Sequence, residues 1–423
     1  MLQTVRGMRV VLPPEARRFR HVEDTVRGVL ARFAYEEVQL PLLEATELFS
    51  RGVGEATDIV EKEMYTLQDR DGNGIALRPE GTAGCVRALE EAGYLYNKVQ
   101  RVFYTGPMFR YERPQKGRYR QFTQIGAEAF GFRGPDVDVE LLAIGHACWR
   151  ALGLQDAVWL ELNTLGSREA RLAYRAALVA YLSPYAAELD ADSRRRLTTN
   201  PLRILDSKDA RTRDILTQAP RLPDFVDKAS LEDFDRLQQL LSDLGIAYRL
   251  NAALVRGLDY YTHTVFEWVT HRLGAQGTVC AGGRYDGLVE TLGGCSTPAA
   301  GFGMGLDRVV LLHEAVCADR IDTGCSADVF ICIQAPEMTG DAMRLADEIR
   351  EACPDLRVRA GLGGAKLKAQ FRKADDSGAR WAVIVGADEL ARGAFTLKPL
   401  RAGDGEQMEL TAAALIAHVA RGR

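Results

Sequence analysis

No stretch of this 423-residue chain stays apolar and uncharged for the roughly 20 residues that a membrane-spanning helix needs. No secretory hydrophobic region precedes Arg17-Arg18 either, so a soluble, cytoplasmic protein is expected. Cys-x-x-Cys pairs are missing too. The eight cysteines, from Cys85 to Cys353, are scattered, several of them in apolar surroundings where a thiol behaves as a small hydrophobe. Reduced thiols are therefore expected, with no metal held by a dedicated protein cage. A P-loop is lacking. So is an excess of one charge: 54 Lys and Arg against 58 Asp and Glu leave a formal −4, and any contact with RNA must come from local basic patches. The 47% of apolar residues suffices for substantial cores, in two or three domains at this length.

What is present is most telling from Arg256 to Glu267, Arg-Gly-Leu-Asp-Tyr-Tyr-Thr-His-Thr-Val-Phe-Glu. A guanidinium and a pair of phenols stand at the mouth of a run in which Tyr261, His263, Val265 and Glu267 alternate with Thr262, Thr264, Phe266 and Trp268. That is the period of a strand with distinct faces. Gly257 lets the backbone bend beside Arg256. A surface turn entering an ordinary strand would read the same way. His263 tempts as a general base, yet a lone histidine on a strand reads first as structural or exposed.

Further segments add to this. Met108-Phe109-Arg110-Tyr111-Glu112-Arg113 and Gln121 to Glu128 look like the strands of a hairpin, and the loop between them, Pro114 to Arg120, carries Lys116, Arg118 and Arg120 with no acid. Such a loop projects a positive field toward phosphates or an RNA end, as would any solvated basic turn. Gly301-Phe302-Gly303-Met304-Gly305 allows close backbone approach and opens an apolar helix containing Asp307 and Arg308, although glycine runs also serve helix packing. Leu77-Arg78-Pro79-Glu80-Gly81-Thr82 puts a carboxylate and a hydroxyl at a strand end leading into a helix.

In this order the segments resemble the class II aminoacyl-tRNA synthetases and, more narrowly, the histidyl-tRNA synthetases of bacterial type, essentially end to end. Met108 to Glu128 is similar to their motif 2, Gly301 to Arg308 to motif 3, and Val38-Gln39-Leu40-Pro41 to the close of motif 1. Arg256 to Glu267 and Ala281-Gly282-Gly283-Arg284-Tyr285-Asp286 resemble the signatures peculiar to the histidine enzymes. Departures are few: Met8 to Pro13 lacks an acidic residue, and Asp307 stands where Glu is commoner. The resemblance implies an α/β protein with an α+β catalytic core: an antiparallel sheet flanked by helices, a helical insertion and a C-terminal α/β anticodon-binding domain. It also implies a homodimer, since motif 1 builds the class II subunit interface. The rival within this resemblance is the synthetase-like, histidine-binding regulatory subunit of ATP phosphoribosyltransferase, which lacks the anticodon domain and erodes the arginines. Arg110, Arg256 and Arg308 count against it. Neither His-Ile-Gly-His nor Lys-Met-Ser-Lys-Ser occurs, so a class I synthetase finds no support.

Punctuation along the chain divides it near Ala327, into a catalytic domain over 1–326 and a second domain over 327–423. Pro14 to Phe33 carries Phe19, Val22, Val26, Leu30 and Phe33 at helical spacing. From 167 to 244 the pattern turns helical and charged, an inserted helical domain that by resemblance lies near the tRNA acceptor stem. After a linker at Ala318 to Ala327, strands at Val329–Ile333, Arg357–Ala360 and Trp381–Val385 alternate with helices at Asp341–Ala352 and Ala365–Ala374. That order predicts a largely parallel sheet. From Arg357 to Arg380 the basic residues Arg357, Arg359, Lys366, Lys368, Arg372, Lys373 and Arg380 stand against only Asp375 and Asp376, a density that suits a phosphate backbone.

The chemistry follows from charge. When an amino-acid carboxylate attacks the α-phosphorus of ATP, negative charge gathers on both partners, and fixed guanidiniums are the natural remedy. The resemblance implies Arg110 on the α-phosphate, Phe122 stacked on adenine, and Arg308 with Arg118 on the γ-phosphate. By the same resemblance Arg256 lies against the α-phosphate near the attacking carboxylate, with Mg2+ accompanying ATP through its phosphates. A neutral imidazole needs one acceptor and one donor, roles that Glu128 and Tyr261 fit. Glu80, Gly81 and Thr82 with Gln124 would receive the α-ammonium, and Tyr260 and Tyr285 would close the walls. Buried polar partners reject analogues lacking them by up to about 10⁴ to 10⁵, so no proofreading site is required. Toward tRNA(His), Gln115, Lys116 and Arg120 in the basic loop, and Arg357, Arg359, Lys366 and Arg372 in the last domain, are the candidates.

Overall fold

The computed structural model describes residues 2–54, 57–255, 257–274, 277–318, 325–401 and 406–421. The chain separates into two compact units, Met1–Ala318 and Asp319–Arg423.

In the first unit, helix α1 (Pro13–Arg32) starts on Pro13-Pro14, which suit a first turn, and buries Val22, Val26, Val29 and Leu30 at helical spacing. The short strand β1 (Glu36–Glu37) follows. Next comes a small antiparallel sheet of β2 (Leu43–Ala45), β3 (Tyr65–Gln68) and β4 (Gly74–Leu77), with α2 (Thr46–Val53) between the first two. Helix α3 (Thr82–Glu91) leads to the long hairpin β5 (Gln100–Phe109) and β6 (Gln121–Phe130). Helix α4 (Asp136–Ala151), β7 (Trp159–Thr164), and helices α5 (Arg168–Leu182), α6 (Ala191–Thr199), α7 (Ala210–Leu216) and α8 (Lys228–Asp243) precede β8 (Tyr248–Leu250). The unit ends with β9 (Thr262–Val269), β10 (Thr278–Arg284), α9 (Leu288–Thr291), β11 (Ala299–Gly305) and α10 (Leu306–Cys317).

The main sheet runs β1-β5-β6-β11-β10-β9-β7-β8, its six inner strands antiparallel and its edge strands β1 and β8 parallel to their neighbours. Period-two alternation gives each face its own core. Phe103, Ile125, Ala127, Phe266, Phe302 and Met304 join α1, α4, α8 and α10 on one side. Val102, Tyr104, Phe130 and Val265 join α3 and the first helices of the 167–244 segment on the other. That segment owes its helices to its caps: the side chains of Ser167, Asp190, Asp209 and Asp227 each accept from a first-turn amide. It shares both cores with the sheet, since Leu178, Leu182 and Ile215 pack with Tyr104 while Leu237 and Leu241 pack with Phe266.

The second unit contains β12 (Val329–Ile333), α11 (Thr339–Ala352), β13 (Val358–Ala360), α12 (Leu367–Asp376), β14 (Trp381–Val385), α13 (Ala387–Arg392), β15 (Ala394–Pro399), β16 (Met408–Thr411) and α14 (Ala412–Arg421). Its sheet order is β13-β12-β14-β15-β16. The strands up to β14 are parallel, but β15 and β16 run antiparallel, so the sheet is mixed and not largely parallel. The cause is the short α13, ended by Gly393 at φ +62, which turns the chain straight back without room for a crossover. No helix among the described residues is long and apolar enough to cross a membrane. None of the eight cysteines, all among the described residues, forms a disulfide, and all but Cys295 are buried.

Candidate active site

Alternation on β6 aims Phe122, Gln124, Glu128 and Phe130 at one face of the sheet, opposite to Ile125, Ala127 and Ala129. The neighbouring β11 contributes glycines there, with Gly301 beside Glu128 and Gly305 beside Gln124. Expected as a run opening a helix, the glycines are themselves a strand, and α10 begins at Leu306. Their bareness has a steric reason: a Cβ on Gly301 would stand 1.7 Å from Glu128 Oε2. Over this floor opens a cavity of about 500 Å³ lined by Glu80, Thr82, Arg110, Arg118, Phe122, Gln124, Tyr260, Tyr261 and Arg308, among others.

The guanidiniums form one group. Arg308 donates Nε to the Gly117 carbonyl at 3.0 Å and Nη1 to that of Thr278 at 2.8 Å, so loop and strand hold its fork still. Burial first, then the nearby Arg110 and Arg118, pulls its pKa down. Arg110 was expected on a strand. It lies one residue past Phe109, the end of β5, where its Nε donates to Pro79 O at 2.8 Å and its guanidinium stands 5.3 Å from the Phe122 ring centre. Arg118 pairs with Glu112.

The carboxylates form the other group. Glu80 is buried and caps α3, accepting from the amides of Thr82 at 2.7 Å and Ala83 at 3.0 Å; burial raises its pKa against those donors. Gly81 leaves room for Tyr104, whose ring would lie 2.2 Å from a Cβ there. Glu128 is sealed behind the cavity at 1% exposure. Thr82 Oγ1 donates to it at 2.8 Å, Tyr104 at 3.1 Å, and Tyr285 to its other oxygen. Burial nevertheless pushes its carboxyl up to about 8. Tyr285 packs edge to face with Tyr260 and Tyr261, at 5.5 and 6.3 Å between centres, and the rings of Tyr260 and Tyr261 stand tilted at 4.7 Å. Tyr285 is therefore a wall behind the cavity, as Glu128 is. Arg256 lies outside the described residues.

The strand after Arg256 alternates less simply than its sequence. His263 adopts φ +48, the pairing with β10 shifts between Gly283 and Arg284, and His263 Nδ1 sits 3.2 Å from Ser230 Oγ. Held there against the cap of α8, His263 is structural. Several cavity residues escaped the sequence reading: Glu112, Glu267, Arg203 and Asp307. Glu267 alternates with the core residues Phe266 and Trp268, and that pattern was its available signal. Arg203 carries none, since it enters from the 167–244 segment and stands 3.5 Å from Asp58. Asp307 accepts from Thr123 N at 2.7 Å and from Arg9 at 2.7 Å. Arg9 stands in the segment without an acid, where it also pairs with Glu15.

The basic loop is a tight turn, Gln115 and Arg118 exchanging backbone hydrogen bonds, with Gln115 and Lys116 exposed. Arg120 is folded back, 3.6 Å from the Tyr111 ring centre. In the second unit Arg359, Lys366 and Arg372 are exposed. Arg357 differs, donating Nε and Nη2 to the Asp328 carboxylate, each at 2.9 Å. Among the described residues no group of three or more His, Cys, Asp or Glu could hold a metal ion.

The family model described as Histidyl-tRNA synthetase matches residues 7–309. The chain belongs to the histidyl-tRNA synthetase family. An Anticodon binding domain model matches residues 328–420. The apo histidyl-tRNA synthetase of S. aureus is similar over 100% of both chains, at 32% identity and a TM-score of 0.82. Histidyl-tRNA synthetase from Nostoc sp. PCC 7120 is 22% identical over 100% of this chain and 99% of its own, TM-score 0.71. A Bacillus halodurans protein described as an ATP phosphoribosyltransferase regulatory subunit/histidyl-tRNA synthetase is 23% identical over 92% of this chain and 99% of its own, TM-score 0.66. The latter two bear on fold alone. Membership of the family fits the antiparallel six-stranded core, whose glycine floor and guanidinium group fall in the segments that resemble motifs 2 and 3.

Proposed function

We propose that this protein is a histidine–tRNA ligase, activating L-histidine with ATP and transferring it to the 3′ end of tRNA(His). The observation that carries this reading is the meeting, in one cavity, of a partly buried guanidinium group around Arg308 with the polar set Glu80, Thr82, Gln124 and Tyr261. Histidine's carboxylate oxygen attacks the α-phosphorus, the bond to the pyrophosphate oxygen breaks, and pyrophosphate leaves with the Mg2+ that entered as part of the substrate. Arg110 and Arg308 neutralise the charge that accumulates, with Arg256 assigned by resemblance to the attacking carboxylate. Phe122 offers the adenine a ring. Glu128 accepts the imidazole N–H through rearrangement of its present donors, and Glu80 takes the α-ammonium. In the second step the terminal ribose oxygen attacks the histidyl carbonyl carbon and AMP leaves, an adenylate phosphate oxygen taking the ribose proton.

The exposed Gln115 and Lys116, with Arg120, serve the acceptor end, and Arg359, Lys366 and Arg372 the anticodon side. Arg357 contributes charge while bound to Asp328. The working form is a homodimer joined through the segment ending at Pro41, and its place is the cytoplasm, in keeping with thiols that form no disulfide among the described residues. ATP–pyrophosphate exchange measured with each of the twenty amino acids tests the reading, and histidine alone should support it. Histidine binding without exchange would favour the regulatory-subunit alternative.

A further inference from the structure

Arg171, on α5, reaches out of the helical segment into the loop that carries the paired tyrosines. Its Nη1 donates to the carbonyls of Asp259 at 2.6 Å and Tyr261 at 2.9 Å, and its Nη2 stands 3.4 Å from Asp259 Oδ1. Asn200, which ends α6, donates Nδ2 to the same Oδ1 at 3.0 Å. On the opposite side the Asp259 amide donates to Val53 O at 3.2 Å, at the end of α2. The 259–261 segment is a thin partition. Behind it lies a second cavity of about 240 Å³ that Arg171 and Asn200 line, and Tyr260 is a wall of both cavities. With space on each side, the position of this backbone depends on these hydrogen bonds as well as on the packing of the Tyr260, Tyr261 and Tyr285 rings.

We propose that Arg171 is the positioning residue of the amino-acid pocket, setting where Tyr260 and Tyr261 stand and so tying the helical segment to histidine selection. The inference rests on the proposed ligase activity. A guanidinium is suited to the task because its planar fork serves carbonyls and a carboxylate at once, whereas an ammonium is a single point charge. Displacing a wall by about 1 Å can cost about 10²-fold in a well-aligned site. The loss should fall on histidine and not on ATP, whose Arg110, Arg118 and Arg308 are held by other elements.

The test is ATP–pyrophosphate exchange on the full chain, titrated separately in histidine and in ATP, for Arg171→Ala, Arg171→Lys and Asn200→Ala, with thermal unfolding alongside. Arg171→Ala should raise the KM for histidine about 10- to 100-fold while the KM for ATP stays within about threefold. Arg171→Lys should recover part of the loss, and Asn200→Ala should shift the same parameter less. A histidine KM near wild type, or both KM values rising together, would overturn the proposal. Should Arg171→Ala fail to fold, an unchanged histidine KM in both other variants would overturn it equally. Absence of histidine-dependent exchange in the wild-type chain would count against the ligase reading instead, and calorimetric histidine binding across the same variants would then judge Arg171.

Discussion

Two groups of side chains share one cavity and are built on opposite principles. Around Arg308 like charges gather: Arg110, Arg118 and Arg308 stand together, their mutual repulsion borne by carbonyls and by Glu112, Glu267 and Asp307. Around Glu128 every oxygen already has a donor, from Thr82, Tyr104 and Tyr285. An arriving polyphosphate relieves the first group. An arriving imidazole must displace or share partners in the second. A preassembled group of cations lowers the energy of charge that develops during reaction, whereas a satisfied polar network penalises any ligand that cannot replace what it displaces. The first arrangement favours rate and the second favours selection.

Under the proposed activity, the largest way to break this contrast is Arg308→Ala. Losing one preorganised donor should slow adenylate formation by about 10² to 10³ in single-turnover measurement, and Arg308→Lys should restore only part. Because the repelling neighbours are relieved, the unfolding temperature should change little. A rate near wild type would remove Arg308 from the phosphate group.

Glu128→Gln should act differently. Loss of a charge-assisted hydrogen bond is worth about 1.5 to 3 kcal/mol, so the histidine KM should rise about 10- to 100-fold with kcat less affected. The folded protein should tolerate the change, since burial already disfavours the ionised form.

A smaller, sharper effect concerns protons. The Glu128 carboxyl is held up to about 8, above its ordinary 4.5, so at pH 7 the empty site carries a proton there. Accepting an imidazole N–H requires the carboxylate, and histidine binding should release up to about one proton at pH 7. Calorimetry in buffers of different ionisation enthalpy reads this directly, and Glu128→Gln should abolish it. The same raised pKa means that the folded state binds the extra proton. This group therefore contributes stability at low pH that declines as pH rises from 4.5 through about 8.

The smallest effect lies outside the cavity. Asp227 caps α8, accepting from Ser230 N at 2.9 Å, and these donors hold its carboxyl below the usual range. Its contribution is present above the ordinary carboxylate pKa and is lost as pH falls through the depressed value, the reverse of Glu128. Asp227→Ala should cost about 1 kcal/mol in denaturant unfolding, with exchange activity nearly unchanged.

Much of this was legible beforehand where one period governs a segment. Helix α1 falls at Pro13–Arg32 against an expected 14–33, and β12 and β14 fall where expected. Legibility failed where neighbours decide. The glycine run of β11 opens α10 as read, but that it is itself a strand emerges only when β6 and β10 take up its backbone hydrogen bonds on both sides. His263 breaks an apparently regular alternation because α8 and a bulge hold it at positive φ.

Side-chain types, their order and their local periods are properties of the chain itself, and they determined the candidate chemistry: Arg110, Arg308, Glu80, Glu128 and the tyrosines. Tertiary structure alone decided who stands behind whom. Glu128 became a sealed acceptor, Arg357 was spent on Asp328, and Arg171 and Arg203 were brought to the site from a segment whose sequence reads only as charged helix. The reason is physical. Periodicity reports which face of an element is buried, but ion pairs and hydrogen bonds between residues far apart in sequence form only when packing places their atoms within about 3 Å, and no local pattern encodes that distance.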